Sequence, residues 1–231
     1  MKIDFYFLVA RIIPAALSGI PLFVFQFFVL RTQLSEFWNA LLGAQIVSNV
    51  TISMAFLIAF IMLSRYLSKV FFEVHMFDDG RSFPTTQFLL HADTTYSQGY
   101  TSQIHERIRN DFGIQIPTEV QEASDEAQSR KLIREAVDLI RAKVGKGRLV
   151  NQHVAEYGFW RNLAGGSVLG LFLAAADLLV FWLAYPNNVA LLISIALVGV
   201  YSLHLIFAKR LIVSHGRYYA KVLIQEYMAS S

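Results

Sequence analysis

The sequence predicts a mainly α, polytopic membrane protein with four transmembrane helices and a small, mostly helical domain inserted between helices 2 and 3. Three observations carry this. Four apolar runs, two near each end of the chain, are each long enough for the roughly 20 helical residues that cross a bilayer core. A charged stretch separates the two pairs. Hydrophobic side chains make up 55% of the 231 residues and charged ones 16%, with a mean hydropathy of +0.45, values that a water-soluble domain of this size rarely reaches. Cysteine is absent, which excludes a disulfide framework and any thiolate metal or redox site.

The first run, residues 12–30, follows Lys2 and Arg11 and so invites comparison with a secretory signal. It is too long for the apolar core of one, and Arg31, Thr32, Gln33 and Leu34 after it form no small-residue cleavage site. It therefore reads as a retained helix. Pro14 lies harmlessly near its start, whereas Pro21 is expected to kink it by removing a backbone donor. The second, third and fourth runs fall at residues 44–63, 163–183 and 189–207. The expected organisation is an N-terminal hairpin (1–63), an inserted domain (64–162), a C-terminal hairpin (163–208) and a tail (209–231).

Basic residues cluster at one set of ends: Lys2 and Arg11, Arg65 and Lys69, Arg161, then Lys209 and Arg210. The other ends carry only Arg31, and none in the turn Tyr185, Pro186, Asn187, Asn188. The positive-inside rule puts both termini and the insert in the cytoplasm. Trp160 and Trp182 bracket the third span where interfacial aromatics belong.

Within the second span Gln45, Asn49 and Ser53 recur every four residues, inside an arc of roughly 80°. In the third, Gly166, Gly170 and Ala174 form a stripe of small residues, and Asp177 falls on it. Such stripes mark where transmembrane helices approach closely, so Asp177 is expected to face another helix. Gln45, Asn49, Asp177 and Arg31 should share the outer leaflet. Two readings stay open: a structural pairing of Asp177 with Arg31 or Asn49, or an ion path lined by Gln45, Asn49 and Asp177 and completed by oligomerisation.

In the insert, the second helix is expected to continue as an amphipathic stem until Asp78, Asp79 and Gly80 stop it. Residues 83–90 read as extended or strand-like. A helix over 100–112 has Tyr100, Ile104, Ile108 and Phe112 on one side and Gly113 as its stop. After Pro117 and Thr118, an acidic lead-in (119–126) opens a long helix to Val144 that buries Leu132, Ile133, Ala136, Val137, Ile140 and Val144 and closes at Gly145. A helix over 150–162 then runs into the third span, so both ends of the insert join transmembrane helices. The tail has the pattern of an amphipathic helix, lying on the membrane or packing on the insert.

Arg141, Lys143, Lys146 and Arg148 form a glycine-interrupted basic loop suited to phosphate, with Tyr157 and Trp160 near enough in sequence to stack on a base. The competing reading is contact with anionic lipid headgroups. The loop lacks the glycine spacing of a phosphate-binding nucleotide motif. His91 with Asp93, and His75 before Asp78 and Asp79, make no recognisable catalytic or metal constellation, so no enzyme, metal or cofactor is expected.

The paired spans, the basic stretch Arg141, Lys143, Lys146, Arg148 and the closing segment Glu156, Tyr157, Gly158, Phe159, Trp160, Arg161, Asn162 together resemble the small transmembrane effectors of bacterial anti-phage defence, HalA-like effectors of Hailong systems among them. The resemblance implies a multi-pass inner-membrane ion channel, homo-oligomeric with a tetramer favoured. Its gate would answer to a nucleotide or short single-stranded DNA, its activation would depolarise the cell, and a nucleotidyltransferase would be its partner. The alternative is a non-conducting membrane anchor or sensor that recruits a soluble partner protein through the insert.

Overall fold

The computed structural model describes residues 4–30, 45–78 and 82–230, with side chains described throughout except at residue 30 and residues 45–53. Among the described residues there are helices and turns and no strand. In chain order the helices are α1 (Phe5–Ser18), α2 (Ile20–Val29), α3 (Gln45–Ser68), the single turn α4 (Pro84–Gln87), α5 (Gln98–Phe112), α6 (Glu119–Ser124), α7 (Glu126–Val144), α8 (Arg148–Leu179) and α9 (Asn188–Ala229). The chain divides into two compact units: Met1–Phe72 with Gly158–Lys209, and Glu73–Tyr157 with Arg210–Ser231.

The first unit holds the apolar helices. Three are long and apolar enough to cross a membrane, Met54–Phe77, Arg148–Ala184 and Asn188–Ala229, and the bent pair α1 and α2 makes a fourth if taken as one span. Large side chains stand exposed along them, Phe172 and Leu183 at 71%, Ile206 at 73%. Apolar surface on that scale belongs in lipid, and the chain is a membrane protein by this criterion.

The kink expected at Pro21 occurs two residues earlier, as a 44° bend at Gly19. Pro21 sits in the first turn of α2, where its missing N–H would have no helical acceptor in any case. The Leu17 carbonyl, four residues before the proline, loses its helical donor, and the Tyr201 hydroxyl of α9 donates to it instead at 2.7 Å.

The small-residue stripe on α8 does bring helices into close approach. A methyl group at Gly165 would overlap the Ser64 carbonyl oxygen of α3 and stand 2.8 Å from Ser68 Cβ. At Gly166 it would overlap the Ser18 hydroxyl of α1 and lie 3.1 Å from Ser64 Oγ. At Gly170 it would meet the Tyr201 ring at 2.7 Å, and at Gly158 the Ala10 Cβ at 2.8 Å. Without side chains on this face, α8 lies directly against α1, α3 and α9, and dispersion contacts replace the hydrophobic effect that lipid removes. Two polar bonds reinforce the seam: Asn162 Nδ2 donates to the Ala10 carbonyl at 2.5 Å, and Ser68 Oγ to the Arg161 carbonyl at 2.6 Å.

The second unit is built on amphipathic helices. Ser97 caps α5 by accepting from the Tyr100 N–H, and Gly113, at φ 68°, ends it in the left-handed conformation that glycine adopts without strain. The acidic lead-in and the long helix, one run in the sequence reading, are two helices. Thr118 and Gln121 close a capping box on α6, the chain breaks at Asp125, and the Asp125 carboxylate caps α7 through the Gln128 N–H at 3.0 Å. The stretch 83–90 is not extended. Pro84 opens the helical turn α4, and Phe83, Phe88, Leu89 and Leu90 are buried around it, so the Thr and Phe content that suggested a strand reflects burial instead.

Ile104 and Ile108 of α5 and Ile133, Ala136, Val137 and Ile140 of α7 are buried together with the far half of α9, where Ile212, Tyr219, Leu223, Ile224 and Tyr227 lose nearly all solvent contact. The tail thus belongs to the second unit and is continuous with the fourth apolar run. At its end, Arg107 of α5 donates from Nη1 to the Met228 carbonyl at 2.7 Å and from Nη2 to the Ser230 carbonyl, while Tyr227 stacks on Phe112. The guanidinium satisfies carbonyls that a helix C-terminus leaves open. At the start of the unit, Asp78 ends the stem at φ 47°; Asp79 and Gly80 lie outside the described residues.

Candidate functional site

Two sets of polar residues stand out, one in each unit. In the second unit the four predicted phosphate ligands separate by environment. Arg141 is placed by α7 beneath α9: its guanidinium carbon lies 5.8 Å from both the Phe83 and Tyr219 ring centroids, Nη2 donates to Thr85 Oγ1 at 3.3 Å, and Nη1 lies 3.4 Å from Asp138. Lys143 Nζ is 3.0 Å from Asp111 Oδ2 and lies over the Tyr227 ring at 5.7 Å. That hydrogen bond holds the Asp111 carboxyl below its ordinary range. Arg141 and Lys143 therefore already engage protein groups, whereas Lys146 and Arg148, at the turn between α7 and α8, are exposed.

The two predicted stacking residues fall in different units. Tyr157 is buried edge-on to Phe83, with ring centroids 5.2 Å apart, and its face is not open to a base. Trp160 is half-buried in the first unit and stacks on His204 at 5.9 Å.

His91 and Asp93 hold the loop before α5. His91 Nε2 lies 3.1 Å from the Pro117 carbonyl, the His91 N–H donates to the Glu122 carboxylate at 2.9 Å, and Asp93 accepts from the Thr95 N–H at 2.8 Å. The His91 ring also meets that of His105 edge-on, 5.0 Å between centroids. Burial lowers the His105 pKa, with His91 adding to the effect, while burial raises that of Glu122. The folded state thus prefers neutral His105. Below pH about 6.5 an unfolded chain takes up a proton that the folded unit resists, and stability falls with pH. Glu122, which the folded state prefers protonated, offsets this only at lower pH, where carboxylates titrate. Thermal melts between neutral and mildly acid pH should show the second unit losing stability, and His105→Gln should flatten that slope; an unchanged slope would place the proton elsewhere.

In the first unit, Asp177 is 5% exposed, and its Oδ2 has no hydrogen-bond partner among the described residues. Ala174 and Phe181, three residues before and four after it, are likewise buried, so the acid faces into the helix packing as the stripe predicts. Gln45 and Asn49 lie on α3, but their side chains, like all of Arg31, fall outside the described residues. Sequence reading missed further polar residues on the same seam. Ser64, Ser18 and Asn162 are each 1% exposed or less, with Ser64 Oγ and Asn162 Oδ1 unpartnered among the described residues. The signal was present: Ser64 lies eleven residues after Ser53, which returns it to about 20° from the Gln45, Asn49, Ser53 face.

No known family model matches the chain, and no curated protein or solved structure shows significant similarity to it.

Proposed function

We propose that the chain is a multi-pass effector of anti-phage defence that forms an ion channel in the inner membrane as a homo-oligomer, under the control of an anionic ligand held by its water-exposed unit. In this reading the bent pair α1 and α2 counts as one span, giving four, with both termini and the second unit in the cytoplasm. The observation that supports it best is a single element. Helix α8 begins at Arg148, in the exposed basic turn, and reaches Asp177, the buried acid, without a break. A helix of 32 residues spans about 48 Å, so a ligand that shifts one end of α8 acts on the helix that carries the acid. An acid inside a membrane helix is costly to keep and is by default a functional-site hypothesis.

A nucleotide or short single-stranded DNA fits the basic turn by charge, with Lys146 and Arg148 making the phosphate contacts and Arg141 and Lys143 securing the fold beneath them. Replacing both Lys146 and Arg148 with Glu should weaken binding of a short single-stranded DNA at least tenfold and flatten its salt dependence, with the melting temperature unchanged. Full affinity in that variant would remove the turn from the site. The channel itself is tested by recording from the purified full-length protein in a planar bilayer, with nucleotides and short oligonucleotides added in turn. Discrete currents that respond to one of them support the proposal. A bilayer that stays silent throughout supports the membrane anchor that recruits a soluble partner.

A further inference from the structure

We propose that Arg11 of α1 binds the phosphodiester of an anionic phospholipid at the membrane surface, on the side where α1 begins. The proposal requires that the first unit cross a membrane and nothing of the channel reading. Charge in that unit is one-sided. Arg11, Arg65, Lys69, Arg161 and Lys209 fall at one set of ends of its apolar runs, whereas its acids are Asp4, Asp177 and Glu36, the last outside the described residues and, in sequence, at the far end of the first run. Asp177 is remote from Arg11. Asn162 bonds to the carbonyl of Ala10 and so stands level with Arg11, and Asp177 lies about 22 Å further along α8. Asp4 shares the Arg11 end, but its carboxylate caps α1 by accepting from the Phe7 N–H at 2.7 Å.

Arg11 is seated so as to present one edge outward. It stands on the packed side of α1, in helical register with the buried residues Pro14, Ala15 and Ser18, so the stem of its side chain starts in the seam. The guanidinium turns back to the rings of Tyr6 and Phe7, its carbon 5.5 and 5.3 Å from their centroids. Nε is enclosed and has no hydrogen-bond partner among the described residues. A guanidinium carries its five donors in a flat fork. With Nε shut in and two rings beside the group, the donors of Nη1 and Nη2 are left for an acceptor that the chain does not supply. Two oxygens of a phosphate match that fork, and they supply the negative charge that Arg11 lacks.

The surroundings select the source of the phosphate. Phe5, Leu8 and Ile13 flank Arg11 on α1 and are 54%, 43% and 38% exposed, a surface that acyl chains cover and a free phosphate ion does not. Lys69, Arg161 and Lys209 at the same end of the unit attract a headgroup of net negative charge and repel the ammonium of a zwitterionic one. The ligand that satisfies both conditions has a phosphodiester, a net negative charge and hydrocarbon chains.

Native mass spectrometry of the full-length protein in detergent, with phosphatidylglycerol or phosphatidylcholine added, tests this. The parent protein is expected to retain phosphatidylglycerol about tenfold better than phosphatidylcholine. Arg11→Gln should abolish the preference and Arg11→Lys should keep part of it, since an ammonium holds the charge but not the fork. Lys209→Gln, which removes one charge from the same end of the unit, should leave most of it. Phosphatidylglycerol should also raise the melting temperature of the parent and not of Arg11→Gln, while inorganic phosphate shifts neither. Equal retention of the two lipids by the parent, or a preference that survives in a folded Arg11→Gln protein, would overturn the proposal. A shift produced by inorganic phosphate as large as that by the lipid would assign Arg11 to a free anion and overturn the lipid.

Discussion

Replacing Gly165 with leucine should disrupt the first unit more than any other single change on α8. The atoms that a side chain there meets are backbone, the Ser64 carbonyl oxygen and the Ser68 nitrogen, together with Ser68 Cβ, none of which can swing aside as the end of a long side chain can. Helix α8 would have to move away from α3, breaking the bond from Ser68 Oγ to the Arg161 carbonyl. Overpacking of a closely packed site costs about 1–3 kcal/mol, and more where backbone must shift. The expected result is a large fall in melting temperature in detergent, or loss of folded protein. Gly199 of α9 is the control, because a Cβ there meets nothing within 4 Å. Gly199→Ala should match or slightly exceed the parent in stability, since alanine favours a helix over glycine. Equal effects at the two positions would mean that the close approach of α8 is not what holds the unit together.

Removing the Arg107 guanidinium should have the next largest effect, confined to the second unit. Its donors close the end of α9 on the Met228 and Ser230 carbonyls, and its carbon lies 5.1 Å from the Tyr227 ring centroid. Hydrogen bonds from a charged donor contribute about 1.5–3 kcal/mol. Arg107→Ala should therefore speed hydrogen exchange at the last two turns of α9 by more than tenfold, with smaller changes in α7. Arg107→Lys should recover only part, because an ammonium cannot reach two carbonyls in the fork geometry of a guanidinium. Unchanged exchange at residues 220–229 would show that Tyr227, Leu223 and Ile224 hold the helix end by burial alone.

What the sequence disclosed follows from periodicity. Apolar runs, the glycine stripe and the amphipathic stripe of α7 all repeat at helical spacing, so each could be read without knowing its neighbour, and Asp177 could be assigned to a packed face. Contacts across the chain could not be read in that way. That Arg141 lies between Phe83 and Tyr219, or that Lys143 meets Asp111, depends on residues far apart in sequence, and an isolated basic loop gives no sign of which charges are already engaged. The tail had a helical pattern with two possible partners, and its burial with α5 and α7 is a tertiary fact. Residues 83–90 misled for a related reason: a short buried apolar run has the same composition as a turn or as a strand, and Pro84 decides in favour of the turn.

The absence of native cysteine makes the side of the membrane on which each unit is exposed directly measurable. Single cysteines in place of Ser102, on the exposed side of α5, and of Tyr185, in the turn before α9, should be probed in intact cells with a membrane-impermeant maleimide. The prediction is that the cysteine at 185 is labelled in intact cells, whereas the one at 102 is labelled only after the inner membrane is opened. Labelling of both from the outside, or of neither, would contradict a water-exposed cytoplasmic unit joined by continuous helices to membrane spans.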